Sequence, residues 1–484
     1  MDNLTSISGI SLLVDTPFKA FWTSYDPLDL ASDSIDPLGF ARGYLALADR
    51  LLPSFTTVTT IPRYVSMMCA ALSITQSHFS AKTKTLSQKE RQDRLKLVKS
   101  FERAWAIACG LASTNPNIGQ KAVQGLRGIR YVNRRIEAIL EKEKHIKTSS
   151  FNLLSNQVRY GGVGVYSVFL EECHLGSMSN FELKPLGKKL AEAFPTPAPE
   201  IPLWNEDAKL EIKMLKEWGE MAHIGAFSKK EGKILAEALQ GGEEADHPDN
   251  VRWATLKMLS QLNNEFLENK GEHLQINEGD QLQRMANYIK DDKFKHLKIP
   301  EYCLGQIKST LEILEHFEKF YQSLIFIFDL IRGAASDELE PSLHDLARQS
   351  TIKKTNKIIL EFANKLKNSL IIANQFHTKT ASEIGTVFRD SGILSLADDL
   401  LARQSDCSAM ILTIISRHEQ VQSGKYDKDS PKAPWIKLTE NNKVQLNAQR
   451  HQLVASSRRE NWEDISRHPY RSHSALSFIN ACGI

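Results

Sequence analysis

Arginines recur at the spacing of one helical face between residues 125 and 134. Arg127, Arg130, Tyr131 and Arg134 occupy positions i, i+3, i+4 and i+7, so an unbroken helix would carry all four on one stripe. Guanidinium groups about 5–6 Å apart suit the phosphates of a nucleic-acid backbone. The stripe therefore predicts that Arg127, Arg130 and Arg134 contact DNA. The alternative is that they pair with acidic residues inside the protein.

A glycine-rich stretch at 156–166 is a second candidate site. Its glycines would let the backbone approach a ligand closely. Beside them, Gln157 suits the reading of a base edge, Arg159 the binding of a charge and Tyr160 stacking on a base. The stretch has neither the GxGxxG spacing of dinucleotide sites nor the Gly-Lys-Ser/Thr of phosphate loops. We predict that it binds substrate, with a tight structural turn as the alternative.

A third basic group lies towards the C-terminus. His418 lies at the end of an apolar helical segment, where the negative end of the helix dipole favours a cation. Arg417 precedes it, and Lys432 and Trp435 follow. We predict that Arg417, His418 and Lys432 contact an anion, with surface packing as the alternative.

Charge is distributed unevenly along the chain. The formal net charge is only +3. Residues 81–150, however, hold sixteen Lys or Arg and six Asp or Glu, a net charge of +10, whereas residues 201–300 have a net charge of −4. A strongly basic window inside a near-neutral chain favours an anionic partner, and we predict double-stranded DNA bound along 81–150. A solvated helix face is the alternative.

Standard catalytic motifs are absent from the sequence. We find no serine nucleophile elbow, no HExxH and no EF-hand loop. The candidates for catalysis are therefore two carboxylates beside turns, Asp36 and Asp390. The alternatives are a helix cap for Asp36 and a turn residue for Asp390. We expect no cofactor and no metal, because the histidines lack the spacing of metal ligands.

The elements that must position these residues are almost all helical. Apolar residues recur at helical spacing through most of the chain, and one segment changes period near the end. There, residues 435–438 and 443–446 flank a polar four-residue turn, which predicts a β-hairpin. The predicted fold is mainly α and multi-helical, with a small C-terminal β-hairpin and helix content above about 50%, against roughly a third in average globular proteins.

Composition and prolines suggest three domains. The segment from Phe194 to Pro202 contains four prolines and is the clearest hinge. We predict an N-terminal helical domain at 1–195 that contains the basic segment 81–150, a helical domain at 203–400, and a C-terminal part at 401–484 with a helix, the hairpin and a basic tail.

Cysteines and hydropathy indicate the compartment. Six cysteines are scattered without a CxxC pair, which fits a reducing cytoplasm. No apolar run approaches the roughly 18 residues of a membrane span. Met1–Asp15 holds no Lys or Arg, so a secretory signal is not expected there. We predict a cytoplasmic protein that does not contact membranes.

Several short segments resemble a poorly characterised bacterial family often found among anti-phage defence genes. The first begins at Asp36-Pro-Leu-Gly39 and ends at Arg63-Tyr64. The later ones are Gln157 to Tyr166 and Arg417-His418 to Pro434-Trp435. The chain is also similar to anti-phage DNA glycosylases that excise glucosylated hydroxymethylcytosine from phage DNA.

The resemblance implies an enzyme that flips a modified base out of the duplex and leaves an abasic site. It adds Arg63 to the expected DNA contacts and Tyr64 to the expected substrate contacts. A non-catalytic helical DNA-binding or scaffold component of a defence system is the alternative function.

Overall fold

The computed structural model describes residues 36–79, 86–197, 205–240, 248–270, 278–337, 340–376, 378–427, 430–447, 461–468 and 470–484. The segment Met1–Asp15, residues 198–202 of the predicted hinge, and residues 448–460 of the basic tail after the hairpin lie outside these ranges.

Helices account for 70% of the structure, which confirms the predicted mainly α class. The α-helices of the described residues are α1 Ala41–Leu51, α2 Pro62–His78, α3 Gln88–Ala112, α4 Ile129–Lys142, α5 Gln157–Tyr160, α6 Gly162–Glu172, α7 Pro185–Ala193, α8 Ile212–Ala222, α9 Lys229–Leu239, α10 Pro248–Lys270, α11 Glu278–Lys290, α12 Glu301–Asp337, α13 Leu343–Arg348, α14 Ser350–Phe376, α15 Thr378–Asp390, α16 Ile393–Ala402, α17 Cys407–Ser423 and α18 Ser472–Cys482.

Strands are short and form only two-stranded antiparallel pairs within the described residues. They are β1 His145–Ile146 with β4 Leu210–Glu211, β2 Gly176–Ser177 with β3 Glu182–Leu183, β5 Tyr426–Asp427 with β6 Ser430–Pro431, and β7 Ile436–Leu438 with β8 Val444–Leu446. The pair β7–β8 is the hairpin predicted from the sequence, with Ile436 opposite Leu446 and Leu438 opposite Val444.

Local sequence explains where the main helices begin. Ser87 and Ser228 start α3 and α9 with capping boxes, in which each serine accepts from the N–H of the glutamate three residues later. Pro62 occupies the first turn of α2, where its missing N–H costs nothing.

Two glycines break the helix that was expected to carry the stripe from Arg127 to Arg134. Gly125 and Gly128 have φ angles of 84° and 77°, in the left-handed region that other residues rarely adopt. A Cβ on Gly128 would also lie 2.5 Å from the carbonyl oxygen of Leu153. The segment therefore forms one 3₁₀ turn, Gly119–Ala122, and α4 begins only at Ile129.

Core contacts cross the predicted domain boundaries. Helix α3 packs along α8, α1 packs on α12, and α18 contacts α9 and α10. The hydrophobic residues of all these helices belong to one buried cluster. The three segments are therefore in contact within one core, and their division into domains stays a prediction.

Arg63 of α2 makes a long-range polar contact in this core. Its guanidinium is 1% exposed and forms an ion pair with the buried Glu231 of α9. It also donates to the carbonyls of Met221 and Ala222 and lies 4.6 Å from the centre of the Phe194 ring. This corrects the prediction that Arg63 contacts DNA, because the group is enclosed by protein.

Removing one partner of this pair is expected to be costly. Glu231→Gln would keep hydrogen-bonding atoms for the capping box but leave the Arg63 charge buried without a counter-charge, which typically costs about 3–5 kcal/mol. We expect the free energy of unfolding in urea to fall by that amount. Glu237→Gln, on the exposed side of the same helix, is the matched control. A loss below about 1 kcal/mol for Glu231→Gln would contradict a structural role for the pair.

Candidate nucleic-acid interface

Exposed arginines lie on α4 and α5. Arg130 and Arg134 are exposed, stand one turn apart, and are linked by a 3.3 Å hydrogen bond from Nε of Arg134 to the Arg130 carbonyl. Arg159 of α5 is also exposed, and its guanidinium lies 5.3 Å from the centre of the Tyr160 ring. We call Arg130, Arg134 and Arg159 the arginine patch. The sequence had predicted an anion-binding role for all three.

Arg127 links the two halves of the patch and does not belong to it. Its Nε donates to the carbonyl of Tyr160, which holds the start of α4 beside α5. Its backbone N–H donates to the hydroxyl of Tyr64 at 2.9 Å. The prediction that Arg127 shares the stripe is wrong, because the left-handed turn at Gly128 places it before the helix.

A buried carboxylate lies beneath the patch. Glu102 of α3 is fully buried. Its two oxygens accept from Nε2 of Gln157 at 2.8 Å and from the N–H of Gly162 at 2.7 Å. Burial raises the pKa of Glu102, while these hydrogen bonds oppose the rise. A Cβ on Gly161 would lie 2.7 Å from the carboxylate, so the glycine turn closes tightly onto this group.

Gln157 is occupied inside the protein. Besides the bond to Glu102, its Nε2 donates to the Lys99 carbonyl at 3.1 Å, and its Oε1 accepts from Nε of Arg103 at 2.8 Å. Only 5% of the residue is exposed. This corrects the prediction that Gln157 reads a base edge, because its amide is already satisfied. The glycine-rich stretch forms the tight turn that was the alternative.

Tyr64 is likewise a core residue. Its ring stacks on Tyr166 at 5.2 Å and meets Trp105 edge-on at 4.9 Å. It is 1% exposed, and burial raises the pKa of its hydroxyl. The prediction of a substrate contact is corrected: the hydroxyl accepts the Arg127 N–H and so supports the start of α4. Tyr160 is half-buried beside Arg159 and stays a candidate stacking face.

Arg417 joins two turns that are far apart in sequence. Its guanidinium donates to the carbonyl of Leu38 at 3.0 Å and to that of Ser391 at 2.5 Å. Gly39 and Gly392 have positive φ angles, and a Cβ on either would lie within 2.8 Å of a guanidinium nitrogen. Burial lowers the pKa of Arg417. The predicted DNA contact is corrected, because the group is committed to these carbonyls.

His418 is a neutral buried hydrogen-bonding group. Its Nδ1 lies 3.0 Å from the carbonyl of Pro37, and its Nε2 accepts from the N–H of Trp435 at 2.8 Å. These partners assign the proton to Nδ1. The pKa of His418 is lowered to about 4, mainly by burial, with smaller contributions from Lys425 and Arg332, while the hydrogen bond to Pro37 opposes the shift. The predicted anion contact is corrected, since the ring carries no charge at neutral pH.

Asp36 caps α1. Its two carboxylate oxygens accept from the N–H groups of Phe40 and Ala41, each at 2.8 Å, and its carbonyl accepts from Nζ of Lys425 at 2.7 Å. This is the helix-capping role that the sequence also allowed. A catalytic role for Asp36 stays a prediction.

The two remaining predicted site residues lie apart from the patch. Lys432 is 4% exposed, and its backbone N–H donates to the carbonyl of Lys425. Its predicted DNA contact is corrected by this burial. Asp390 is exposed at the end of α15, so its catalytic role also stays a prediction.

A carboxylate–imidazole pair was missed in the sequence. Glu318 of α12 is buried and accepts from Nδ1 of His468 at 2.8 Å and from the hydroxyl of Tyr470. The ring of His468 stacks on Tyr44 at 4.4 Å and contacts Tyr321 at 4.1 Å. The two partners are 150 residues apart, so no local spacing could reveal them. With Nδ1 facing the carboxylate, Nε2 is the ring nitrogen that a substrate or water can contact, and no described residue hydrogen-bonds to it.

Neither metal-binding nor membrane-crossing features emerge from the described ranges. No group of three or more His, Cys, Asp or Glu side chains is arranged to hold a metal ion there. No helix among those residues combines the length and apolarity needed to cross a bilayer.

Comparisons with known proteins find no matching family model, no matching curated protein and no matching solved structure.

The buried neutral His418 predicts a specific loss of stability in acid. Its pKa is about 4 in the folded protein and about 6.5 when unfolded, so the unfolded chain takes up the proton first. The stabilisation is complete above pH 6.5 and declines as the pH falls towards 4. By pH 5, the contribution lost is about 2 kcal/mol.

Urea unfolding of the wild type and of His418→Gln at pH 7.5 and 5.0 measures this contribution. The glutamine can still accept from Trp435, and we expect its stability to fall about 2 kcal/mol less on acidification. If the variant does not fold, NMR of the imidazole nitrogens in the wild type reports directly at which pH His418 becomes protonated. A His418 ring that is protonated at pH 5.5 would contradict the prediction.

Proposed function

We propose that this protein binds double-stranded DNA through the arginine patch. The observation that carries the proposal is the exposure of Arg130, Arg134 and Arg159 on two elements that Arg127 holds together. None of the three forms an ion pair with another described residue. Two like charges one helical turn apart destabilise a helix, and a bound phosphate would relieve that repulsion.

The surrounding charge supports the same proposal. The basic window that contains α3 and α4 carries a net charge of +10. Exposed Lys89 and Arg91 add positive charge at the start of α3, whereas Lys96 lies 3.9 Å from the carboxylate of Asp93. Such a field increases the rate of association with DNA and decays within about a Debye length, roughly 8–10 Å at 0.10–0.15 M salt.

The arrangement of the patch supports contacts with DNA phosphates and does not support recognition of base sequence. Arginines on a helix face bind phosphates, which fixes position without conveying sequence. Gln157, the residue expected to read a base, is satisfied internally. We therefore propose sequence-tolerant binding. The likeness of the polar segments to a defence family supports phage DNA as the target.

Salt dependence is the first test. Each phosphate contact adds about 0.9 to the slope of log affinity against log salt concentration. The variant with Arg130, Arg134 and Arg159 all changed to Ala should flatten that slope by two to three and weaken binding to any duplex. Lys233→Ala, an exposed change on α9, is the control for net charge. An unchanged slope in the triple variant would refute DNA binding by the patch.

A second candidate function is excision of a glucosylated base from phage DNA. The observation that favours it is the Glu318–His468 pair, whose carboxylate orients an imidazole between two tyrosine rings. Such a base can activate water, and breaking an N-glycosidic bond needs a nucleophile of this kind and a nearby negative charge. His468 is 11% exposed, so access to it is narrow.

Base release tests this second function. The wild type is incubated with phage DNA that contains glucosylated hydroxymethylcytosine, and abasic sites are counted by alkaline strand cleavage. His468→Gln should lower the rate at least about 10²-fold, the usual contribution of a general base, and leave DNA affinity unchanged. Asp36→Asn and Asp390→Asn test the carboxylates predicted from the sequence. Binding without base release by the wild type would reject the glycosylase and leave the DNA-binding function.

A further inference from the structure

A cavity lined by lysines lies at the far end of α4. Its volume is about 390 Å³, within the usual range for small-molecule sites. Lys144, His145, Lys147, Ser150 and Lys209 line it together with one acid, Glu143. We call it the lysine pocket. The lining includes none of the three arginines of the patch, and Arg134, the nearer of the two on α4, lies eight residues or about 12 Å before the end of the helix.

The backbone beneath the lysines is fixed by pairing. Strands β1 and β4 place His145 opposite Glu211, and the N–H of Ile212 donates to the Lys144 carbonyl at 3.0 Å. On the other side, the N–H of Ser149 donates to the carbonyl of Glu206 at 2.8 Å. Segments on both walls are therefore joined by hydrogen bonds, and the pocket exists before any ligand arrives.

Three lysine side chains line this cavity against a single acidic lining residue, Glu143. Lys144, Lys147 and Lys209 are exposed, and their ammonium groups form no hydrogen bond or ion pair with the described residues. Three ammonium groups and one carboxylate give the lining an excess of positive charge, which a bound anion can balance. The hydroxyl of Ser150 adds a donor that an anion can use.

We propose that the lysine pocket binds a nucleotide through its terminal phosphate. A phosphomonoester carries nearly two negative charges at pH 7, twice the charge of a backbone phosphodiester, and so matches a cluster of three ammonium groups better. It also ends a chain and can enter a concavity that a continuous strand would only cross. Glu143 repels an anion but accepts hydrogen bonds, so it suits a sugar hydroxyl or a base amino group.

Two sources supply this chemistry: a free nucleoside monophosphate, and the 5′-phosphorylated end of a DNA strand. The inference goes beyond duplex binding, because the pocket does not include the arginine patch. Binding to the pocket can therefore be measured even in a protein whose patch has been removed.

Calorimetric titration with deoxyadenosine 5′-monophosphate and with deoxyadenosine tests the pocket. We expect the monophosphate to bind and the nucleoside to show no binding at the same concentration. The double substitution Lys144→Ala and Lys147→Ala should weaken binding of the monophosphate at least tenfold, because each charged hydrogen bond contributes about a tenfold factor in affinity. Lys233→Ala should bind as the wild type does. Equal behaviour of nucleotide and nucleoside, or an unaffected double-lysine variant, would overturn the proposal.

Two further comparisons distinguish the sources and separate this site from the patch. A duplex with 5′-phosphate overhangs is compared with the same duplex carrying 5′-hydroxyls. A preference that the double-lysine variant loses supports a strand end as the ligand, and monophosphate binding without that preference supports the free nucleotide. The variant with Arg130, Arg134 and Arg159 changed to Ala should retain monophosphate binding. Loss of monophosphate binding there, with the fold intact by circular dichroism, would overturn the separation of the two sites.

Discussion

A carboxylate sealed from solvent, that of Glu102, fixes the geometry on which the arginine patch depends. A carboxyl group in a protein interior must be hydrogen-bonded, and here the partners are the amide of Gln157 and the N–H of Gly162. These bonds hold α5 and the start of α6 against α3. The Tyr160 carbonyl then accepts Arg127, and α4 starts from that anchor. The exposed arginines are therefore positioned by a group that no DNA could touch.

The sequence predicted the helices and the hairpin because both depend on local periodicity. Apolar spacing and Ser caps mark α3 and α9, and alternation around a polar turn marks β7–β8. The common helix face of Arg130 and Arg134 followed from the same reasoning, since they are four residues apart on one helix. The prediction for Arg127 was wrong because two glycines in left-handed backbone conformations interrupt the helix. Amino-acid composition alone does not reveal the φ angles of those glycines.

Long-range pairing explains the other differences. Arg63 and Glu231 are 168 residues apart, and His418 and Pro37 are 381 residues apart. Residue type indicates that a polar group needs a partner, but it does not tell whether that partner is DNA or another part of the chain. For Arg63, His418 and Gln157, burial shows that the partner is another part of the chain. The segments from which the defence-family resemblance was predicted thus contain many side chains that are bonded within the protein, and satisfied buried polar networks help to specify one packing arrangement.

The separation of exposed from buried charge has a consequence for selectivity. A patch that binds phosphates by Coulomb attraction holds any duplex and loses affinity with salt, so it cannot by itself distinguish one DNA from another. Discrimination needs a group that contacts a base, a sugar or a strand end at short range. Two features of the described residues offer such groups: the lysine pocket, which is open to solvent, and the Glu318–His468 pair. Because both are built on hydrogen-bonded frames apart from the patch, affinity and selectivity can change independently in this fold.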